Sequence, residues 1–186
     1  ALLPLMTALF GVLRAGERPK VTFWIFSCLG SALVAGFALS NGKVTDLHGD
    51  AYMLGAISIC GLGYAEGAKL SRKLGGWQVI CWALVVSLPV MLVLAFMIRP
   101  PTFANIQPQA WFGLAYVSLF SMLIGFVFWY RVLAQGGIAT VGQLQLLQPF
   151  FGLILAALLL NESVSAQMFW TAALVVLCVV AAKRFA

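Results

Sequence analysis

The stretch that decides the fold is LLQPFFGLILAALLLNESVSAQMFWTAALVVLCVVAAKRF, residues 146–185. It reads as an apolar helix with a proline near its start, a short loop with one glutamate, and a second apolar helix ending on Lys183-Arg184. Residues 1–40, ALLPLMTALFGVLRAGERPKVTFWIFSCLGSALVAGFALS, repeat that pattern 145 positions earlier. Identity is thin, with Leu2, Pro4, Leu13, Glu17, Leu29 and Val34 as the matches, so that Pro4 pairs with Pro149 and Glu17 with Glu162. The linking loops differ in charge. The first holds Arg14, Arg18 and Lys20, whereas residues 161–165 hold no cation. Basic loops stay on the cytoplasmic side, so the two copies are expected to sit upside down relative to each other.

Composition places the chain in a membrane. It is 63% hydrophobic and only 9% charged, against roughly 45–50% and about 25% in soluble domains. Apolar runs near the ~20 residues that span a bilayer recur along the sequence, at 1–14, 21–40, 51–70, 77–98, 111–133, 138–160 and 165–183. No run shows the period-2 alternation of an outer-membrane barrel, so an all-α bundle in a lipid bilayer is expected. The sequence opens inside an apolar run without an initiator Met, and a fragment of a longer protein is expected.

The net charge of +6 does not imply a nucleic-acid partner, because the basic residues punctuate the gaps between spans and form no aromatic-laced patch. Counted over alternating gaps, nine Lys and Arg fall on one side and two, Lys43 and Arg99, on the other. That bias predicts a cytoplasmic C-terminus. Cys28, Cys60, Cys81 and Cys178 lie inside apolar runs without metal-ligand spacing and read as buried thiols. Trp77 and Trp111 open spans as interfacial indoles do, Gly75-Gly76 and Gly136-Gly137 break inner turns, and Ser165 is an expected N-cap.

These residues resemble a known family. The run from Gly49-Asp50 through Leu144-Gln-Leu-Leu-Gln148-Pro149 to Asn161-Glu162 and Lys183-Arg184 is similar to an EamA domain of the drug/metabolite transporter (DMT) superfamily. Residues 1–42 resemble the end of a preceding EamA repeat, and 49–186 a complete second one. The resemblance implies ten helices as two inverted five-helix repeats in the bacterial cytoplasmic (inner) membrane, and export of small metabolites, amino acids or drugs.

Five residues are candidates for substrate binding. Glu66 lies about 16 residues, or ~24 Å, into its span at 1.5 Å per residue, where a carboxylate costs about 2.5–3.5 kcal/mol to insert and reads first as a site. It shares a helical stripe with Ser58, Leu62 and Lys69. It could hold a cationic group or a coupling proton, or form an i,i+3 ion pair with Lys69. Gln145 and Gln148 share a face with Gly152, and Pro149 withholds a hydrogen bond from the Gln145 carbonyl. Ser121 and Trp129 share a face with Ser118 and Gly125. Gly63 and Gly67 form a GxxxG pair for close helix packing, Pro89 marks a kink, and Glu17 and Glu162 read as loop or capping residues. His48 is expected in a solvated outer loop.

No Ser/His/Asp set, phosphate-binding glycine loop or metal spacing occurs, so neither an enzyme nor a cofactor or metal is expected. A seven-helix receptor and a lipid-modifying membrane enzyme are the rival classes. Both are weaker than a secondary transporter with a small-molecule substrate, whose hallmark is the inverted repeat.

Overall fold

The computed structural model describes residues 2–41, 47–99, 106–160 and 166–184. Glu162, Ser165, Lys43 and Pro100-Pro101 lie outside the described residues. Among the described residues seven helices form and no strand. They are α1 (Leu3–Ala15), α2 (Val21–Asn41), α3 (Leu47–Leu74), α4 (Gly76–Ile98), α5 (Pro108–Gly136), α6 (138–160) and α7 (Ala166–Arg184). Among the described residues, four stretches are long and apolar enough to cross a membrane: Gly76–Ile98, Pro108–Gly136, Ile138–Leu159 and Gln167–Arg184. α3 has the length, at 28 residues, but its glycines, Glu66 and basic end lower its apolarity. His48 falls in its first turn, not in a loop, and is exposed.

Helix limits follow local chemistry. Pro4 and Pro108 sit in first turns, where a missing N–H costs nothing. α1 stops at Gly16 in the left-handed conformation, and Gly75 and Gly137 precede α4 and α6 at φ 96° and 87°. Arg14, Arg72-Lys73 and Lys183-Arg184 occupy last turns, where cations meet the negative end of the helix dipole.

The chain divides into two compact units, residues 1–66 with 136–186, and residues 67–135. In the first unit α2 packs mainly on α7 and α1 on the first half of α6. Val34, Leu146, Phe150, Val175 and Val179 make one core, and Ala8, Phe23, Ala139 and Ala182 another. Pro4, Thr7 and Gly11 of α1 meet, in turn, the Gln145 region, Gly142 and Ile138, so α1 and α6 run antiparallel. Ser40 meets Gln167 and Gly30 meets Cys178, so α2 and α7 are antiparallel too. The 145-residue offset recurs in the winding: Leu3–Ala15 maps onto Gln148–Leu160, the α-helical part of α6 after its 3₁₀ segment, and α2 and α7 start at Val21 and Ala166.

Two winding changes correct readings made on a 3.6-residue period. Val117–Gly125 in α5 is π-helix, whose wider turn separates Ser118, Ser121 and Gly125 from a common α-helical face. Gln143–Leu147 in α6 is 3₁₀-helix. Because Pro149 cannot donate, the chain tightens before it, and the Gln148 N–H donates to the Gln145 carbonyl. That carbonyl is therefore satisfied, contrary to expectation.

The glycine pair of α3 also differs. A Cβ at Gly63 would meet nothing within 4 Å, whereas one at Gly61 would lie 2.9 Å from the Met6 backbone carbon. Gly61 is thus the residue that lets α1 approach α3. In the second unit a Cβ at Gly67 would collide with the ring of the buried Tyr130, and one at Gly76 would lie 2.6 Å from the Val127 carbonyl oxygen. Small residues admit neighbouring helices, as membrane packing requires. α4 continues through Pro89, and the Ser87 hydroxyl donates to the Leu84 carbonyl nearby.

Candidate functional site: a cavity between two prolines

Within the first unit lies a cavity of about 310 Å³ whose wall includes Pro4, Pro149, Gln145 and Gln148, closed by Leu3, Val34 and Leu146. The two prolines are the counterparts read from the sequence repeat. Each begins a helical stretch, because its missing N–H is tolerated there. The 3₁₀ winding explains why both amides reach one space. Side chains three apart eclipse in such a helix, whereas an α-helix would set them about 60° apart. Gln145 Oε1 is buried without a hydrogen-bond partner, while Gln148 is exposed. An unpaired acceptor in hydrocarbon costs about 1–3 kcal/mol, so the site retains a capacity for a donor.

A polar strip missed by the sequence reading lies in the same unit. Gln143 is fully buried, and its Oε1 accepts the Ser27 hydroxyl at 2.9 Å. Its Nε2 and the Ser31 hydroxyl, also buried, have no partner. Thr7 is fully buried and returns its hydroxyl to the Leu3 carbonyl at 2.9 Å. The available signal was the spacing of Ser27 and Ser31, one helical turn apart in an apolar span.

Glu66 does not pair with Lys69. The Arg14 Nε donates to Glu66 Oε1. The reason is tertiary: Gly61 lies against Met6, so α1 and α3 run side by side in the same sense and bring Arg14 beside Glu66. The side chains are 54% and 32% exposed, so the pair contributes at most about 1 kcal/mol. Glu66 is not part of the cavity wall.

Glu17 has a defined task. Its two carboxylate oxygens accept the N–H groups of Ile138 at 2.7 Å and Ala139 at 2.8 Å. It therefore caps the N-terminus of α6 from the loop after α1, supporting the capping reading. A Cβ on Gly152 would meet nothing within 4 Å, and Gly152 does not line the cavity. Ser121 and Trp129 belong to the second unit, where Ser121 is exposed and Trp129 half-buried.

A polytopic all-α membrane bundle, with antiparallel helix pairs and amides at a helix break, defines the class. Residues 47–182 match the EamA-like transporter family, and the chain belongs to it, within the drug/metabolite transporter superfamily. The chain is 65% identical over 185 residues to the uncharacterized transporter YdeK of Bacillus subtilis (strain 168). The match covers all of this chain and 64% of that protein's length. No solved structure matches at a significant level.

Proposed function

We propose that the protein is a secondary transporter that exports small organic solutes across the cytoplasmic membrane by alternating access, with the cavity at Gln145 and Gln148 in the substrate path. The observation that carries this reading is the meeting of Pro4 and Pro149 at one cavity, with the unpaired Gln145 Oε1 in its wall. Transporters place their sites where such helix breaks from two repeats meet. The antiparallel course of α1 with α6, and of α2 with α7, supports an inverted relation between residues 1–42 and 49–186. Ser121 and Trp129, in the second unit, are proposed as further substrate contacts. Glu66 carries a cationic group or a coupling proton in the states in which Arg14 releases it.

Transport by the intact protein in vesicles tests the proposal. Gln148→Leu should weaken apparent substrate affinity about tenfold, the equivalent of a lost hydrogen bond of ~1.4 kcal/mol, and leave folding intact. Unchanged affinity would reassign the amide to helix packing. In the same assay Glu66→Gln separates two roles. A pair this exposed supplies little stability, so a purely structural Glu66 leaves transport per folded molecule unchanged. A coupling Glu66 loses the pH dependence of transport.

Orientation has its own test. In a cysteine-free background, single cysteines at Ser163 and Phe185 should label from outside and inside the cell respectively. Labelling of both from one face would refute the opposed insertion of the two copies.

A further inference from the structure

The second unit holds a cavity that the transport reading does not use. It measures about 480 Å³ and is formed by the end of α3, the start of α4 and the last turns of α5. Its wall carries Ser71, Arg72, Trp77, Gln78, Arg131 and Gln135, with no acidic residue. The Arg72 Nε donates to the Ala134 carbonyl at 3.2 Å, which fixes the guanidinium at the wall. Ser71 is only 8% exposed and its hydroxyl has no hydrogen-bond partner. Gln78 Oε1 is likewise buried without a donor. Trp77 opens α4 and is 60% exposed, the placement of an indole at headgroup level.

We infer that this cavity is a binding site for a phosphate ester carrying free hydroxyls, of the kind presented by a phosphatidylglycerol headgroup. Two guanidinium groups supply charge-assisted donors to phosphate oxygens. The Ser71 hydroxyl supplies a neutral donor, and Gln78 Oε1 accepts from a glycerol hydroxyl. The start of α4 adds the positive end of its dipole. Basic pockets between helix ends at the cytoplasmic face take anionic headgroups for these reasons. Arg72 and Arg131 are therefore assigned more than topology.

Native mass spectrometry of the intact protein, with phosphatidylglycerol and phosphatidylcholine as probes, tests the site. Phosphatidylglycerol should be retained selectively. Arg131→Gln should weaken its retention about fivefold, and Arg72→Gln with Arg131→Gln about 25-fold, from the usual contribution of a cation near an anionic headgroup. Ser71→Ala, a change within the volume available, should weaken it without altering charge. Lys183→Gln with Arg184→Gln removes two charges from the other unit and should leave retention intact. Glycerol 1-phosphate in solution distinguishes the source: failure to displace the lipid assigns the site to the membrane, and displacement at millimolar concentration assigns it to a soluble phosphate ester. Equal retention of the two lipids, or equal losses in the Arg72/Arg131 and Lys183/Arg184 variants, would overturn the inference.

Discussion

Gly61→Val is expected to destabilise the protein by about 2–3 kcal/mol, the upper part of the usual range for overpacking. A Cβ at this position would stand 2.9 Å from the Met6 backbone carbon and 3.0 Å from the Thr7 nitrogen. Backbone atoms cannot turn aside as the end of a long side chain can, so the whole of α1 must withdraw. That movement would also separate Arg14 from Glu66, which depend on the same approach. Gly63→Val is the internal control, since a Cβ there meets nothing within 4 Å. Thermal unfolding in detergent should show a drop of roughly 5 °C or more for Gly61→Val and little change for Gly63→Val. Equal melting temperatures would mean that α1 and α3 are not in contact at Gly61.

Glu17→Ala is the second large effect, at about 2 kcal/mol or somewhat more. Hydrogen bonds to charged groups contribute about 1.5–3 kcal/mol each, and the partial exposure of Glu17 reduces the sum of the two. The loss falls on the Ile138 and Ala139 N–H groups at the start of α6. Glu17→Gln keeps one accepting oxygen and drops the charge, so roughly half the loss is expected. Hydrogen exchange at those two amides gives the local readout. Fast exchange in Glu17→Ala and intermediate exchange in Glu17→Gln are expected, and wild-type protection in both would remove Glu17 from the cap.

The helices were legible in the sequence because apolar length and basic punctuation are one-dimensional signals. So was the 145-residue offset, which recurs in the α-helical stretches that start at Leu3 and Gln148 and at Val21 and Ala166. Pro4, Pro149, Gln145 and Gln148 could be singled out because a proline and two amides are unusual in an apolar helix. What failed were readings that depended on which neighbour arrives or on local winding. Lys69 is the local candidate for Glu66, but Arg14, 52 residues away in sequence, takes the carboxylate. Of the Gly63 and Gly67 pair, Gly67 does admit a neighbour, the buried Tyr130, but a Cβ at Gly63 would meet nothing within 4 Å, and in the first unit α1 arrives at Gly61. A wheel drawn at 100° per residue could not represent a π stretch in α5, so the common face of Ser118, Ser121 and Gly125 was lost. Gln143 gives no signal until its helix meets that of Ser27, whereas the Ser27–Ser31 spacing is readable in the sequence alone.

The five-residue 3₁₀ segment at Gln143–Leu147 works as a phase shifter in α6. Each residue there advances about 120° and ~2.0 Å, against about 100° and ~1.5 Å in an α-helix. Over five residues the difference amounts to roughly 100° of rotation and ~2.5 Å of length. Everything from Gln148 onward is therefore dialled more than a quarter turn from where an uninterrupted α-helix would carry it. A one-residue deletion in that segment would undo the setting without touching the helix length needed to cross a bilayer. The identity of the residues that meet Pro4 is thus held in the winding of α6 as much as in its sequence.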